Sequence, residues 1–259
     1  MQKHFLLIII FFFGTGSIAQ TVYINEANYL KKRVSQGLIE DGRIHRMNFA
    51  NCNMKKVAVL YWPETTVSKY KTGITIFENK VFEDSIDNEF SLFAQNTIKQ
   101  KFEALSTYKF EVIADHSTIP IEKYFTKKKG LKPFSATDEG KEFLKSLIGK
   151  GFDGFLILFE DDIPDAISQV YKSMPAKGLY KNYKQYYIYH SIYSLIFDLN
   201  KGKPIKKIGY LQLSADYPSQ KMDNHFKEAA IRNNPVLLND LKLRFENNID
   251  EIIEVFKLN

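Results

Sequence analysis

Three short apolar segments, separated by stretches with helical periodicity, constrain the fold of this chain more than any other feature. The segments fall at residues 57–62, 109–115 and 152–159. Between them, apolar residues recur every three or four positions over residues 87–105 and 135–151. Short apolar or alternating runs are typical of strands, and three-four spacing is typical of amphipathic helices. The alternation therefore predicts an α/β fold with a largely parallel central sheet and helices packed on it.

The second half of the chain changes pattern. Residues 185–199 form one long strand candidate, which a Gly-containing turn at 200–203 connects to a second run at 205–215. Such a pair is typical of an antiparallel hairpin. Asn234 and Pro235 then form a good N-cap and first helical residue for a C-terminal helix. The fold class is thus α/β with a mixed, mostly parallel sheet, a long antiparallel hairpin and a C-terminal helix.

The remaining segments give weaker signals. A polar stretch at 64–73 is interpreted as a loop, and 74–77 as a short edge strand, while a helix is expected near 219–232. No repeat, low-complexity tract or linker divides the chain. We expect a lead-in segment at 20–55 and a single α/β domain at 56–259.

The N-terminus predicts export. A basic start is followed by an unbroken apolar run at residues 5–13, and Ser17 and Ala19 provide the small residues of a cleavage site. This order is typical of a cleavable signal peptide over residues 1–19. The run is about half the roughly 20 residues that a membrane-spanning helix needs. The expected mature protein is periplasmic or secreted and does not span the membrane.

Charge and cysteine content narrow the function classes. The chain carries a net charge of +6, and its single cysteine, Cys52, allows no internal disulfide. No basic helix is concentrated enough to indicate nucleic-acid binding, and export also argues against that partner. Stability must come from a hydrophobic core. No motif calls for a cofactor, and we expect none.

An acidic group provides the candidate for chemistry. Glu160, Asp161 and Asp162 follow the third predicted strand, and His116 follows the second. Ligands of open α/β sheets bind outside the carboxyl ends of strands, so these residues are the alternative site for a small hydrolase or metal-dependent enzyme. A solvated acidic loop is the favoured interpretation of these residues, and the histidines lack ligand spacing, so no metal site is assigned. The sequence contains no nucleophile elbow, zinc-protease motif or phosphate-binding loop.

A tyrosine-rich segment provides the candidate for binding. Its members at the start of the long strand are Tyr180, Tyr183, Tyr186, Tyr187 and Tyr189. Tyrosine is large, stiff and amphipathic, which suits a contact with a partner protein or glycan. However, both faces of the strand are apolar, so a covered central strand is the other interpretation.

The order of elements resembles the N-terminal domain of the periplasmic Tol protein TolB and related domains of curli-secretion and penicillin-binding-protein activator lipoproteins. The residues that carry this resemblance lie at 56–60, 87–105, 110–113 and 152–159, with the hairpin around Lys201 and Gly202. The resemblance implies a non-enzymatic domain that assembles or regulates envelope machinery. No functional residue can be transferred, because no diagnostic motif matches.

The leading hypothesis is a non-enzymatic exported domain that binds another envelope component, a protein or a glycan, through a strand edge or the tyrosine-rich segment. The alternative is the periplasmic hydrolase or metal-dependent enzyme that would use the acidic group.

Overall fold

The computed structural model describes residues 54–73, 78–86, 88–106, 108–114, 121–126, 135–160, 174–182, 185–201, 203–214 and 234–257. The predicted signal peptide, most of the lead-in segment, the edge strand expected at 74–77 and the helix expected near 219–232 lie outside these ranges.

Ten strands and four helices make up the described elements. The strands are β1 (Lys56–Trp62), β2 (Thr66–Thr72), β3 (Lys80–Ser85), β4 (Lys109–Ala114), β5 (Phe125–Thr126), β6 (Ser135–Ala136), β7 (Gly154–Phe159), β8 (Lys177–Asn182), β9 (Gln185–Asp198) and β10 (Lys203–Ser214). The helices are α1 (Asn88–Glu103), α2 (Ile121–Tyr124), α3 (Asp138–Gly149) and α4 (Pro235–Lys257).

Eight of the described strands form one mixed sheet. Its order is β3-β2-β8-β9-β7-β1-β4, and β10 pairs with β9 outside this path. The pairs β1–β4, β1–β7 and β2–β8 are parallel. The pairs that β9 makes with β7, β8 and β10 are antiparallel, as is β2–β3. Together with the helices, this sheet confirms the α/β class.

Each face of the sheet has its own core. On one face, α1 and α4 pack over β1, β7 and β9, with Phe90 and Phe245 completely buried at the centre. On the other face, α2 and α3 cover a cluster that includes Trp62, Phe125 and Phe155. The alternation along the strands produces this division, because successive side chains point to opposite faces.

The helix ends follow the capping signals in the sequence. The Thr137 hydroxyl accepts a hydrogen bond from the Gly140 amide at 3.0 Å, and α3 is followed by Gly151 at φ 79°. At α4, the Asn234 side chain accepts from the amides of Val236 and Leu237 at 3.1 and 3.3 Å. The predicted N-cap at Asn234 and the helix end at Gly151 are therefore confirmed.

The interpretation of residues 64–73 as a loop is wrong. Most of that segment is β2, which lies between β8 and β3. Its polar residues Ser68, Lys69 and Thr72 are buried. The segment has the composition of a loop, but β3 and β8 pair with it on both sides and satisfy its backbone hydrogen bonds. Such long-range pairing leaves no periodic signal in the sequence, so the strand could not be recognised from it.

The hairpin is confirmed, with β9 and β10 pairing along their length from Asp198 opposite Lys203. Within the described residues, no helix is long and apolar enough to cross a membrane.

Candidate functional site

The central feature of the sheet is a break that several strands share. The C-terminal half of β9 pairs with β7 and its N-terminal half pairs with β8, so β7 and β8 lie end to end along β9. In the same way β1 pairs with β7 while β2 pairs with β8. The sheet therefore consists of two half-sheets: β4, β1 and β7 form one, and β8, β2 and β3 form the other. The strand β9 spans both.

A buried ionic cluster lies at this break, with the Glu160 carboxylate at its centre. Oε1 of Glu160 accepts hydrogen bonds from the Tyr61 hydroxyl at 2.8 Å and from His190 Nε2 at 2.7 Å. Oε2 accepts from the Glu64 amide at 2.8 Å and from the Lys177 ammonium, which also forms a salt bridge with it. The side chains of Glu160, Lys177 and His190 are fully buried.

The strands bring these residues together from distant parts of the chain. Glu160 directly follows β7, Lys177 begins β8, and His190 lies opposite Lys177 in the β8–β9 register. Two phenylalanines of the covering helices close the cluster. The Lys177 ammonium lies 5.4 Å from the centre of the Phe90 ring, and His190 packs edge-on against Phe245 with ring centres 5.3 Å apart.

The hydrogen bonds define the protonation of the cluster. Burial alone would raise the pKa of Glu160, but the charge of Lys177 and the hydrogen bond from His190 lower that pKa from 4.5 to about 2. Burial lowers the pKa of His190 despite the nearby carboxylate. A neutral His190 also fits its partners: Nε2 donates to Glu160, while Nδ1 accepts from the Asn248 amide at 2.7 Å. Burial, and then the charge of Glu160, raise the pKa of Tyr61 well above 10.

The cluster also satisfies the backbone at the break. Besides the Glu64 amide bound by Glu160, the Glu64 carbonyl accepts from the Lys177 ammonium, and the Glu64 side chain accepts from the Ala176 amide at 3.0 Å. Buried backbone groups without partners are costly. We conclude that the charges serve to join the two half-sheets where the regular ladder stops.

The structure describes only one member of the acidic group that was proposed from the sequence. Glu160 is buried within the cluster, while Asp161, Asp162 and His116 lie outside the described residues. In this arrangement the Glu160 side chain has no solvent-exposed surface. In the part of the chain that the structure describes, no three His, Cys, Asp or Glu side chains converge as metal ligands.

The tyrosine-rich segment is mostly interior. Tyr180, Tyr186, Tyr187 and Tyr189 are all buried, at 0 to 6% exposure, and Tyr183 lies outside the described residues. Three of the four belong to an aromatic cluster with Tyr70, on the face opposite α1 and α4. Their burial favours the covered-strand interpretation that the sequence left open.

Three members of the cluster were not singled out from the sequence, namely Tyr61, Lys177 and Asn248, and His190 was considered only as one of the scattered histidines. One signal for His190 was available, since in strand spacing it shares a face with Ile188 and Ile192 and so falls among buried residues. A buried histidine in that position needs a polar partner. Lys177 gave no such signal, because its segment has no clear apolar pattern.

A cleft lies beside the break, on the face covered by α2 and α3. Its volume is about 550 Å³, and it is lined by Trp62, Pro63, Glu64, Thr65, Thr66, Glu122, Phe125 and Thr126. Trp62 ends β1, so the cleft is at the carboxyl end of a parallel strand, where α/β proteins commonly bind ligands. The Trp62 indole donates to the Glu122 carboxylate at 3.1 Å and so links the strand to α2.

Gly140 determines how closely α3 approaches the end of α2, the helix beside the cleft. A Cβ at this position would lie 1.9 Å from the Tyr124 carbonyl oxygen at the end of α2. Only a residue without a side chain permits this contact. The position of α2, which contributes Glu122 to the lining of the cleft, therefore depends on its contact with α3. The position of Glu64, on another part of the lining, depends on its hydrogen bond to Glu160 in the ionic cluster.

Comparison with known proteins leaves the family open. No family model matches the chain, and no curated protein matches its sequence. The chain is similar to the lipoprotein GNA1162 from Neisseria meningitidis, with 13% identity, a TM-score of 0.32, and coverage of 76% of this chain and 99% of the other. It is also similar to the hypothetical protein CT253 from Chlamydia trachomatis, with 12% identity, a TM-score of 0.31, and coverage of 75% and 98%. Likeness at this level carries no argument about function, so the resemblance to TolB-type domains stays a prediction from element order.

Proposed function

We propose that this protein acts by binding, as an exported component of the cell envelope whose cleft beside Trp62 receives a positively charged segment of a partner protein. The observation that carries the proposal is the combination of a buried, hydrogen-bonded ionic cluster with an adjacent open cleft. The cluster has the residue types of a catalytic site but no access to solvent. The cleft is open to solvent, and the side chains of Glu64 and Glu122 contribute two carboxylates to its lining.

The polar lining of the cleft favours a cationic group. Glu64 and Glu122 contribute the carboxylates, and Thr65, Thr66 and Thr126 contribute hydroxyl groups. No lysine, arginine or histidine is among the described residues that line it. Guanidinium and ammonium groups form their strongest hydrogen bonds with carboxylates, so a Lys or Arg side chain is the best match.

The size and apolar lining of the cleft favour a short segment. Ligand sites commonly have volumes of about 300–1,000 Å³ with apolar floors and few polar groups. Here Trp62 and Phe125 are the buried apolar residues of the lining, at 6% and 1% exposure. Such a lining accommodates the aliphatic part of a Lys or Arg side chain while its charge reaches a carboxylate.

Export supports the setting of the proposal. The pattern of residues 1–19 predicts a signal peptide. An exported protein meets its partners in the periplasm or at the cell surface, so we expect the partner there.

Site-specific photo-crosslinking in cells tests the proposal. A benzophenone amino acid replaces Thr126, which is exposed and lines the cleft, in the full chain expressed in its own host. The control position is Gln100, which is exposed on α1 on the other face of the sheet. We expect a discrete adduct from position 126 and none of the same mass from position 100.

A charge reversal identifies the chemistry of the contact. Glu122→Lys should abolish the adduct, whereas Glu142→Lys on the exposed side of α3 should leave it intact. Thermal unfolding of both variants shows whether they remain folded. The proposal is overturned if no adduct forms at position 126, or if the adduct persists in folded Glu122→Lys. An adduct that contains glycan and no protein would also overturn it.

A further inference from the structure

The exposed edge of the second half-sheet carries a separate inference. β3 (Lys80–Ser85) pairs with β2 on one side, and no other strand among the described residues pairs with it. Five of its six residues are exposed, and Val81 and Phe82 expose 42% and 48% of their surface. Natural edge strands with exposed apolar residues are templates for pairing with another strand.

Two hydrogen bonds show which backbone groups of β3 point outward. The Ile86 amide donates to the Thr65 carbonyl of the neighbouring segment at 2.9 Å. The Ser85 amide instead donates to its neighbour, the Asp84 side chain, at 2.9 Å. Because amide direction alternates along a strand, Phe82 bonds towards β2, and the backbone groups of Val81 and Glu83 point away from it.

This alternation limits how two copies of β3 could pair antiparallel. Outward-pointing residues must lie opposite one another, and one such register places Val81 opposite Glu83 of the second copy. The same register places Phe82 opposite Phe82 of the second copy, on the two-fold axis. On each side of the axis, Lys80 of one copy lies opposite Asp84 of the other. A shift by two residues in one direction brings Glu83 opposite Glu83, which is repulsive. A shift in the other direction places Lys80 opposite Phe82 and loses both ion pairs.

We propose that two copies of this chain associate through β3, antiparallel about a two-fold axis at Phe82, with reciprocal Lys80–Asp84 ion pairs. Charged residues on an edge commonly discourage pairing with other strands. Here they are arranged so that the same edge of a second copy matches them, as a self-complementary two-fold interface requires. The two carboxylates of the edge would disfavour an acidic strand in its place.

Sedimentation velocity of the purified protein over a concentration series tests this proposal. We expect a monomer–dimer equilibrium that Lys80→Asp weakens by about tenfold, because one substitution affects both symmetry-related pairs. Asp84→Lys should act similarly, and the double variant Lys80→Asp with Asp84→Lys should restore most of the affinity. Circular dichroism controls for folding.

Cysteine crosslinking tests the register. In a Cys52→Ser background, Phe82→Cys should form a disulfide-linked dimer on mild oxidation, because residues directly opposite on neighbouring strands are close enough. Glu103→Cys, exposed on α1, is the control. A wild-type protein that stays monomeric, a dimer unaffected by Lys80→Asp, or crosslinking at Phe82 no faster than at Glu103 would each overturn the proposal.

Discussion

Replacement of Glu160 by Gln is the perturbation that best tests the role of the ionic cluster. The substitution keeps the shape of the side chain and removes its charge. Glu160 accepts hydrogen bonds from Tyr61, Glu64, Lys177 and His190, and the variant leaves the buried Lys177 ammonium without a counterion. A buried charge without its partner is strongly destabilising.

Two independent arguments give a similar magnitude. Removal of one member of a buried ion pair costs about 3–5 kcal/mol. The lowering of the Glu160 pKa from 4.5 to about 2 corresponds to roughly 3 kcal/mol of stability by linkage. Since the folded-state pKa is lowered, this contribution is complete above about pH 4.5 and is lost as the pH falls towards 2.

Urea unfolding at pH 7, followed by the fluorescence of the single tryptophan Trp62, measures the effect. We expect Glu160→Gln to lose about 3–4 kcal/mol of unfolding free energy, while the exposed Glu142→Gln changes it little. Lys177→Met should rescue part of the loss, with a coupling energy of about 2 kcal/mol in the double-mutant cycle. A loss below about 1 kcal/mol, or additive effects of the two substitutions, would refute the reasoning.

Three further predictions follow from other parts of the structure. The unfolding free energy of the wild type should decline as the pH falls from 7 to 5. The reason is that the folded state keeps His190 neutral, while the unfolded chain protonates it near pH 6.5. Urea titration should show a smaller decline for His190→Gln. Gly140→Ala should lower stability by about 1–3 kcal/mol through its clash with Tyr124, whereas Gly149→Ala, where nothing lies within 4 Å, should not; equal thermal midpoints would contradict this. Asn234→Ala should cost about 1 kcal/mol by removing the cap of α4, and an unchanged denaturation midpoint would show that the cap contributes nothing.

The main elements of the fold could be predicted because their signals are local. The three-four spacing of α1, the apolar run of β7 and the hairpin of β9 and β10 each depend on neighbouring residues in the sequence. The same holds for the Asn234 cap, where side chain and amides are two and three residues apart.

The break in the sheet could not be predicted, because it depends on contacts between distant segments. Tyr61 and Glu160 are 99 positions apart, and Glu64 and Ala176 are 112 apart. No local pattern records that β2 continues the line of β1 or that Lys177 meets Glu160. Glu160 was recognised as unusual from its place after a strand, but the sequence alone favoured an exposed position for a carboxylate.

The central claim, that the Glu160 cluster joins the two half-sheets, is tested most directly by native-state hydrogen exchange in wild type and Glu160→Gln. The reporters are the amides of Glu64 and Ala176, which the carboxylates of Glu160 and Glu64 bind at the break. We expect both amides, and those of β2 and β8, to exchange much faster in the variant, while β1 and β7 stay protected. Unchanged protection at Glu64 and Ala176, or an equal loss throughout both half-sheets, would contradict the account.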